Sequence, residues 1–369
     1  MTRNFVSILI LLLISCSGEQ EINKKVITQL HDVKSEIRNE IVPVSVILPP
    51  GFEGNTQNLP LLINLHGGGG TRDNLLRQAA TYQEMFDEGI LPPMVVVSFS
   101  SGRISYYHGT WEAFVTDELP LWASRMYGVS IKPEHTLMTG ISMGGYGSLK
   151  IGLKNPERFK AIAPMEPAIM PILNFPKEPH KRNSWWTPLQ IYEDVWGKPF
   201  DPQNFMKDNP ANIAIKNAER IKKSGLDIYL EVGDEDFIQL HDGAEFLHRV
   251  FWDNDIRHEY HLVRWADHVG LSMKERTKEA HAFLAASLLG GKSEPIDLTL
   301  TPKQLEYAQS FFGGDEFITN DSNTMQEDLR LAPTLHAELW KPLKKLTKND
   351  PNMERAYGKL PDTKLNEEK

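Results

Sequence analysis

Two kinds of hydrophobic pattern alternate along this chain. Short, uninterrupted apolar runs are separated by longer stretches in which apolar residues recur at helical spacing. Continuous apolar runs of this length are typical of parallel strands buried on both faces, and a helical period between them is typical of crossover helices. The predicted strands cover residues 61–65, 94–99, 136–139, 161–164, 226–232 and 259–264.

This order of elements predicts an α/β fold with a doubly wound, mostly parallel sheet. Residues 36–48 precede the first of those runs and are predicted to form an antiparallel opening to the sheet. Residues 165–210 are long and rich in proline and aromatic residues, so they are predicted to be a lid-like insertion after the sixth strand. Residues 291–369 follow the last expected helix and form a polar C-terminal extension.

A G-x-S-x-G motif occupies residues 140–144, between the predicted strand 136–139 and a helical stretch that begins near Tyr146. A serine on such a strand-to-helix turn projects its hydroxyl above the sheet edge, and the helix N-terminus favours negative charge beside it. Ser142 is therefore the candidate nucleophile.

Six segments in a consistent order resemble the α/β-hydrolase superfamily. The resemblance is to its putative esterase branch, which includes S-formylglutathione hydrolases, feruloyl esterases, acetyl-xylan esterases and mycolyltransferases. It extends over roughly residues 40–290 and implies an α/β-hydrolase fold and a serine esterase activity. The matching segments are 46–52, 61–70, 111–120, 140–144, 233–237 and 267–268.

The remaining triad members should follow Ser142 in the order acid, then histidine. His268 lies in the loop after the last predicted strand, whereas His258 and His261 lie before or within that strand. Asp236 follows the strand 226–232, where the family carries its acid, and Asp234 is a close competitor. The catalytic set is thus predicted as Ser142, Asp236 and His268.

A glycine-rich run after the strand 61–65 matches the HGGG-type loop of esterases. By the resemblance, the oxyanion hole consists of the backbone N–H groups of Gly68 and Met143. A phosphate-binding loop is the alternative, but no Gly-Lys-Ser/Thr sequence follows the glycines.

Substrate contacts are predicted for Tyr106 and Tyr107, which follow the strand 94–99, and for Trp185 and Trp186 in the insertion. Glu166, at the end of the sixth strand, is a candidate polar wall. No histidine–carboxylate motif of metalloenzymes is present, and the acidic cluster at 234–242 lacks EF-hand spacing. No metal or cofactor is therefore expected.

The first residues have the features of a bacterial lipoprotein signal. An apolar run from Phe5 to Ile14 ends in Leu-Ile-Ser-Cys, which resembles a lipobox with Cys16 as the lipidated residue. Cys16 is the single cysteine of the chain, so no intrachain disulfide is available. We expect a signal peptide at 1–15, a polar tether at 16–30, a catalytic domain at 31–290, and a membrane-anchored protein in the periplasm or at the cell surface.

The chain is acidic, with a net charge of −9 that becomes −10 when the signal peptide and its Arg3 are removed. An acidic surface argues against nucleic acid as a partner. The expected function is an exported serine carboxylesterase acting on glycan-linked acetyl or feruloyl esters or on other small esters. The alternatives are a prolyl-oligopeptidase-like serine peptidase and a catalytically silent, carbohydrate-binding lipoprotein.

Overall fold

The structure, a computed structural model, describes residues 25–54, 58–173 and 189–290. Eight strands form one sheet in the order β1-β2-β4-β3-β5-β6-β7-β8. The β1–β2 and β2–β4 pairs are antiparallel, and all other neighbours are parallel. The strands are β1 (Ile27–Ser35), β2 (Glu40–Leu48), β3 (Leu61–Leu65), β4 (Val95–Phe99), β5 (Thr136–Ile141), β6 (Ala161–Met165), β7 (Asp227–Gly233) and β8 (Glu259–Val263).

Helices cover both faces of this sheet. They are α1 (Asp73–Arg77), α2 (Ala79–Asp87), α3 (Trp111–Ala113), α4 (Leu119–Tyr127), α5 (Met143–Lys154), α6 (Leu189–Trp196), α7 (Pro202–Asp208), α8 (Pro210–Ser224), α9 (His241–Asp253) and α10 (Met273–Leu288). A π-helical turn (Phe114–Glu118) joins α3 to α4, and 3₁₀ turns occupy Pro133–His135 and Pro156–Arg158.

Side chains along the central strands alternate between two buried cores because successive residues of a strand point to opposite faces. In β4, Val95 and Val97 pack into the core that includes α5, α8 and α9, whereas Val96 packs into the core that includes α2 and α10. In β3, Leu61 and Ile63 likewise pack into the first of these cores, whereas Leu62 packs into the second. Burial on both faces explains why these strands read as continuous apolar runs.

The observed elements agree with the predicted strands to within two residues at each end, and the fold is that of an α/β hydrolase. One boundary was wrong: the predicted tether at 16–30 includes the start of β1, which begins at Ile27. The residues of β1 alternate between more buried and exposed positions, and the strand pairs with β2 at the edge of the sheet. A sequence that is polar overall can form such an edge strand because one of its faces remains exposed.

The predicted insertion follows β6, and its described part contains α6, α7 and the start of α8. The ring of Trp196 in α6 packs against Tyr106 and Tyr146 of the sheet domain, and Phe205 of α7 packs against Trp196. The signal peptide, Cys16 and the extension 291–369 lie outside the described residues. No helix among the described residues is both long enough and apolar enough to cross a membrane.

Candidate active site

Ser142 is the one residue that connects β5, which ends at Ile141, to α5, which begins at Met143. Its backbone has φ 58° and ψ −115°, a conformation that a residue with a side chain seldom adopts. Backbone hydrogen bonds hold it there: its N–H donates to Met165 O at 2.9 Å, and its carbonyl accepts from Ala168 N at 3.1 Å. Such conformations cost about 1–3 kcal/mol each and occur where the surroundings enforce them, often at active sites.

Three glycines around Ser142 allow this turn to pack against the neighbouring strands. A Cβ atom at Gly144 would lie 2.0 Å from Leu65 O, and one at Gly140 would lie 2.4 Å from Gly144 O. At Gly145 it would lie 2.5 Å from Met165 O. All three obstacles are backbone atoms that cannot move aside, so side chains are excluded at these positions.

The predicted oxyanion donors lie beside Ser142. Met143 is the first residue of α5, where a backbone N–H has no acceptor within the helix. Gly68 belongs to the glycine-rich loop after β3 and lines the same cavity as Ser142. The next two N–H groups of that loop are engaged, Gly69 N with Arg103 O at 2.7 Å and Gly70 N with Gly67 O at 3.0 Å.

His66 fixes the shape of this loop. Its Nε2 lies 3.0 Å from Ser101 N, which can only donate, so Nε2 is the acceptor and the proton resides on Nδ1. Nδ1 then donates to Gly67 O at 2.8 Å. Burial lowers the pKa of His66, although the bond to Gly67 opposes that shift. The lowered pKa and the acceptor role of Nε2 both indicate a neutral ring with a structural role.

His268 lies between β8 and α10 and lines the same cavity as Ser142. Its Nδ1 is 3.5 Å from Asp236 Oδ2, an ion-pair distance rather than that of a short hydrogen bond. Burial disfavours the charged ring, but the neighbouring carboxylates of Asp236 and Glu166 outweigh it and raise the pKa of His268 to about 9.

Asp236, rather than Asp234, faces His268. The Asp236 carboxylate is buried, and its two oxygens accept Ile238 N at 2.8 Å and Leu240 N at 3.0 Å. Burial opposes ionisation, but His268 and these two N–H groups together lower the pKa of Asp236. Asp234 instead accepts from Trp265 N at 2.6 Å and pairs with Arg264. Of the two candidates that the sequence left open, the structure thus places Asp236 beside His268.

Glu166 is not the cavity wall that its position predicted. It is fully buried behind His268, and its Oε2 lies 3.8 Å from His268 Nδ1. Its Oε1 accepts from Gly233 N at 2.8 Å and from the guanidinium of Arg276, which also pairs with the buried Glu231. Sequence reasoning missed Arg276 and Glu231 because the three residues are far apart in the chain and match no motif.

Glu166, Asp236 and His268 place three potential ligand atoms within 4.8 Å of one another, a spacing that a metal ion could bridge. However, both oxygens of Asp236 accept backbone N–H groups, and the positive charge beside Glu166 is already supplied by Arg276. Glu166 and Asp236 are better explained as the charged surroundings of His268 than as ligands of a metal ion.

The cavity over Ser142 has a volume of about 560 Å³. Tyr106 lines it, whereas Tyr107 does not: its ring is buried and its hydroxyl donates to His66 O at 2.9 Å. The prediction that Tyr107 contacts substrate was therefore wrong. Trp185 and Trp186 lie outside the described residues. The lining residues are Gly67, Gly68, Asn74, Ile104, Tyr106, Ile141, Ser142, Met143, Ala168, Ile191, Phe237, Ile238, Leu240, His268 and Val269.

The family model described as "Putative esterase" matches residues 35–269 of this chain. An acetyl esterase of Caldicellulosiruptor saccharolyticus is 28% identical over 193 residues, which cover 50% of this chain and 68% of that enzyme. An S-formylglutathione hydrolase of Bos taurus is also 28% identical, over 152 residues that cover 35% of this chain and 52% of that enzyme. The chain thus spans about half the length of the bovine relative.

Solved structures agree on the fold. A ferulic acid esterase superposes with a TM-score of 0.59 at 18% identity, covering 72% of this chain and 99% of that one. At this level of identity the likeness concerns the fold and not the substrate. The family match, the curated relatives and the α/β-hydrolase architecture together lead to one conclusion: the chain belongs to the putative esterase family and is a carboxylic ester hydrolase.

Proposed function

We propose that this esterase hydrolyses neutral carboxylic esters through a covalent acyl intermediate on Ser142. The observation that carries the proposal is the placement of Ser142: a strained residue at the strand-to-helix turn opens into the same cavity as His268, whose other ring nitrogen faces a buried carboxylate. A nucleophile, a base and a group that orients the base are the parts that acyl transfer requires.

In the proposed reaction, the neutral imidazole of His268 takes the proton of Ser142 Oγ as that oxygen attacks the ester carbonyl carbon. The carbonyl oxygen becomes an oxyanion, which the N–H groups of Met143 and Gly68 stabilise. When the C–O bond to the alcohol breaks, His268 returns the proton to the leaving oxygen. A water molecule then repeats the sequence and releases the acid and free Ser142.

Charge in the cavity favours a neutral substrate. Among the described lining residues, His268 and Tyr106 carry the titratable side chains, none is an acidic residue, a lysine or an arginine, and most of the others are apolar. A glutathione thioester carries carboxylates that find no lysine or arginine on these walls. Acetyl or feruloyl esters of glycans carry no such charge, and the acetyl esterase relative supports this class of substrate.

Replacing Ser142 by alanine tests the mechanism. Ser142→Ala should lower the hydrolysis of p-nitrophenyl acetate by about 10⁴-fold or more and should abolish labelling by a fluorophosphonate, because loss of a triad member costs on this order. The matched control is Asp234→Asn, whose side chain faces away from His268 and should leave turnover within about threefold. Turnover of Ser142→Ala at the wild-type rate would refute the acyl-serine mechanism.

The same assay distinguishes substrates. Acetylated xylan or a feruloylated oligosaccharide should be turned over with a higher kcat/KM than S-formylglutathione. The reverse order would leave the serine mechanism intact and refute the preference for neutral esters.

We also propose that the protein is exported and lipid-anchored through Cys16. The apolar run 5–14 followed by a lipobox-like sequence supports this proposal. Export would place the enzyme near polymeric glycans rather than near the cytoplasmic glutathione pool, in agreement with the proposed substrate class.

A further inference from the structure

The side of His268 away from the cavity faces two carboxylates. Glu166 follows β6 directly, is 0% exposed, and has a positive φ of 44°. Its backbone N–H donates to Glu231 O at 2.8 Å, which fixes this unusual conformation. An acidic residue is rarely buried to this extent without a specific role for its charge.

The two oxygens of Glu166 have different surroundings. Oε1 accepts from Gly233 N and from Arg276. Oε2 is buried and accepts no hydrogen bond from the described part of the chain, and it lies 3.8 Å from His268 Nδ1. A movement of about 1 Å would bring this pair to the hydrogen-bond distance of 2.7–3.2 Å.

Asp236 is in the opposite situation. Both of its oxygens already accept backbone N–H groups of the loop after β7, from Ile238 and Leu240. Its Oδ2 is 3.5 Å from His268 Nδ1, only slightly nearer than Glu166 Oε2. The single proton on Nδ1 therefore has two acceptors at similar distances, of which Glu166 Oε2 is the one without other hydrogen bonds.

Arg276 ties Glu166 to the loop that carries His268. Its Nη1 donates to Asp267 O at 2.7 Å, one residue before His268, while its Nη2 contacts Glu166. Burial raises the pKa of Glu231, the other acidic partner of Arg276, to about 8, because the opposing attraction of Arg276 is smaller.

We propose that Glu166 is a positioning residue for the esterase reaction, a second carboxylate that holds the Nδ1–H of His268 together with Asp236. Glu166 acts through His268 and does not touch the substrate. It preserves the tautomer in which Nε2 is free to accept the serine proton, even when Asp236 cannot accept a hydrogen bond from Nδ1–H. This proposal rests on the proposed function, since it assigns His268 as the base.

Redundancy between the two carboxylates is tested by single and double substitution. Asp236→Asn alone should lower kcat by about 10²-fold, well short of the roughly 10⁴-fold measured where a triad aspartate has no substitute. Glu166→Gln alone should lower it by about three- to tenfold, and Glu166→Asp should recover part of that loss. The double variant should lose about 10⁴-fold, much more than the product of the single losses.

Glu231→Gln is the matched control. It removes the other acidic partner of Arg276, which has no contact with His268 among the described residues. If Glu166 serves only to stabilise the buried cluster, Glu166→Gln and Glu231→Gln should change kcat alike. If Glu166 positions His268, only Glu166→Gln should lower kcat, and KM should be unchanged.

A readout independent of turnover is the NMR titration of the His268 ring, assigned by comparison with His268→Asn. Glu166→Gln should lower the titration midpoint of His268 by about one pH unit, and Glu231→Gln should not, because a facing carboxylate favours the charged ring. The proposal is overturned if the midpoint is the same in Glu166→Gln and wild type, or if Asp236→Asn already loses the full 10⁴-fold. Failure of Ser142→Ala to lose activity would instead refute the acyl-serine mechanism and leave this titration to judge Glu166 separately.

Discussion

At the scale of single residues, protonation of His268 is the property with the largest consequences. The pKa of this ring is about 9 in the folded protein, above the value of about 6.5 for an unperturbed histidine. At neutral pH the resting enzyme therefore holds mostly imidazolium, which cannot accept the serine proton. The same shift means that the folded state binds the proton more tightly than the unfolded chain.

We expect kcat/KM for p-nitrophenyl acetate to rise about tenfold per pH unit below about pH 8, to reach half of its maximum near pH 9 and to level off above it, because in the proposed mechanism only the neutral ring acts as base. The measurement is a pH profile corrected for spontaneous hydrolysis. The stability contribution has the opposite sign: it is complete below about pH 6.5 and is lost as pH rises through about 9. A rate profile with its midpoint near 6.5 would show that the carboxylates do not act on His268 in this way.

At the scale of elements, the junction between β5 and α5 positions Ser142, the proposed nucleophile, by close backbone packing. Leu65 of β3 passes so near to Gly144 that the first turn of α5 cannot carry a side chain on that face. Gly152 lies in the same helix, but a Cβ atom there would meet only side-chain atoms, those of Ile162 at 2.9 and 3.0 Å and Met138 Cε at 3.7 Å. Alanine at Gly144 would collide with backbone atoms, whereas alanine at Gly152 would contact side-chain atoms, so the two substitutions can be compared directly.

Gly144→Ala should prevent formation of the native junction, with loss of esterase activity and a lower unfolding temperature or insoluble protein. Gly152→Ala should be milder, because side-chain atoms rather than backbone atoms would have to shift by a few tenths of an ångström, and alanine is favoured over glycine in a helix by about 1 kcal/mol. Activity assays and thermal unfolding by circular dichroism compare the two variants directly. Equal damage from both would mean that the contact between Gly144 and β3 does not control the turn.

At the scale of the whole molecule, a buried charged cluster joins the insertion to the sheet domain. Asp208, at the end of α7, pairs with Lys154 at 2.7 Å and lies 3.6 Å from the fully buried Lys150 of α5. Although burial opposes ionisation, these partners and His108 hold the pKa of Asp208 far below its usual range. Because α5 begins directly after Ser142, the insertion is anchored to the helix that presents the nucleophile.

The proposed membrane attachment also concerns the whole molecule. In a bacterial host that processes lipoproteins, the full chain should partition into the membrane fraction and carry a diacylglyceryl group on Cys16 after cleavage. Cys16→Ser should abolish this modification while leaving the activity of the catalytic domain unchanged. Mass spectrometry that finds an unmodified mature N-terminus on the wild-type protein would exclude the anchor.

Local patterns in the sequence were sufficient for the elements that depend on short-range physics. Continuous apolar runs predicted the central strands because these strands are buried on both faces, and the G-x-S-x-G spacing predicted the turn at Ser142 because only glycine fits beside Leu65. The histidine and the acid could be narrowed to His268 and to Asp236 or Asp234, since their order along the chain follows from the fold.

Tertiary structure decided what depends on contacts between distant residues. Asp234 and Asp236 are two positions apart and chemically identical, and only the path of the loop after β7 shows which one reaches His268. Tyr106 and Tyr107 are adjacent, yet one lines the cavity and the other supports His66. Glu166 and Arg276, 110 residues apart, meet behind His268, because parallel strands bring the ends of β6, β7 and β8 to one edge of the sheet.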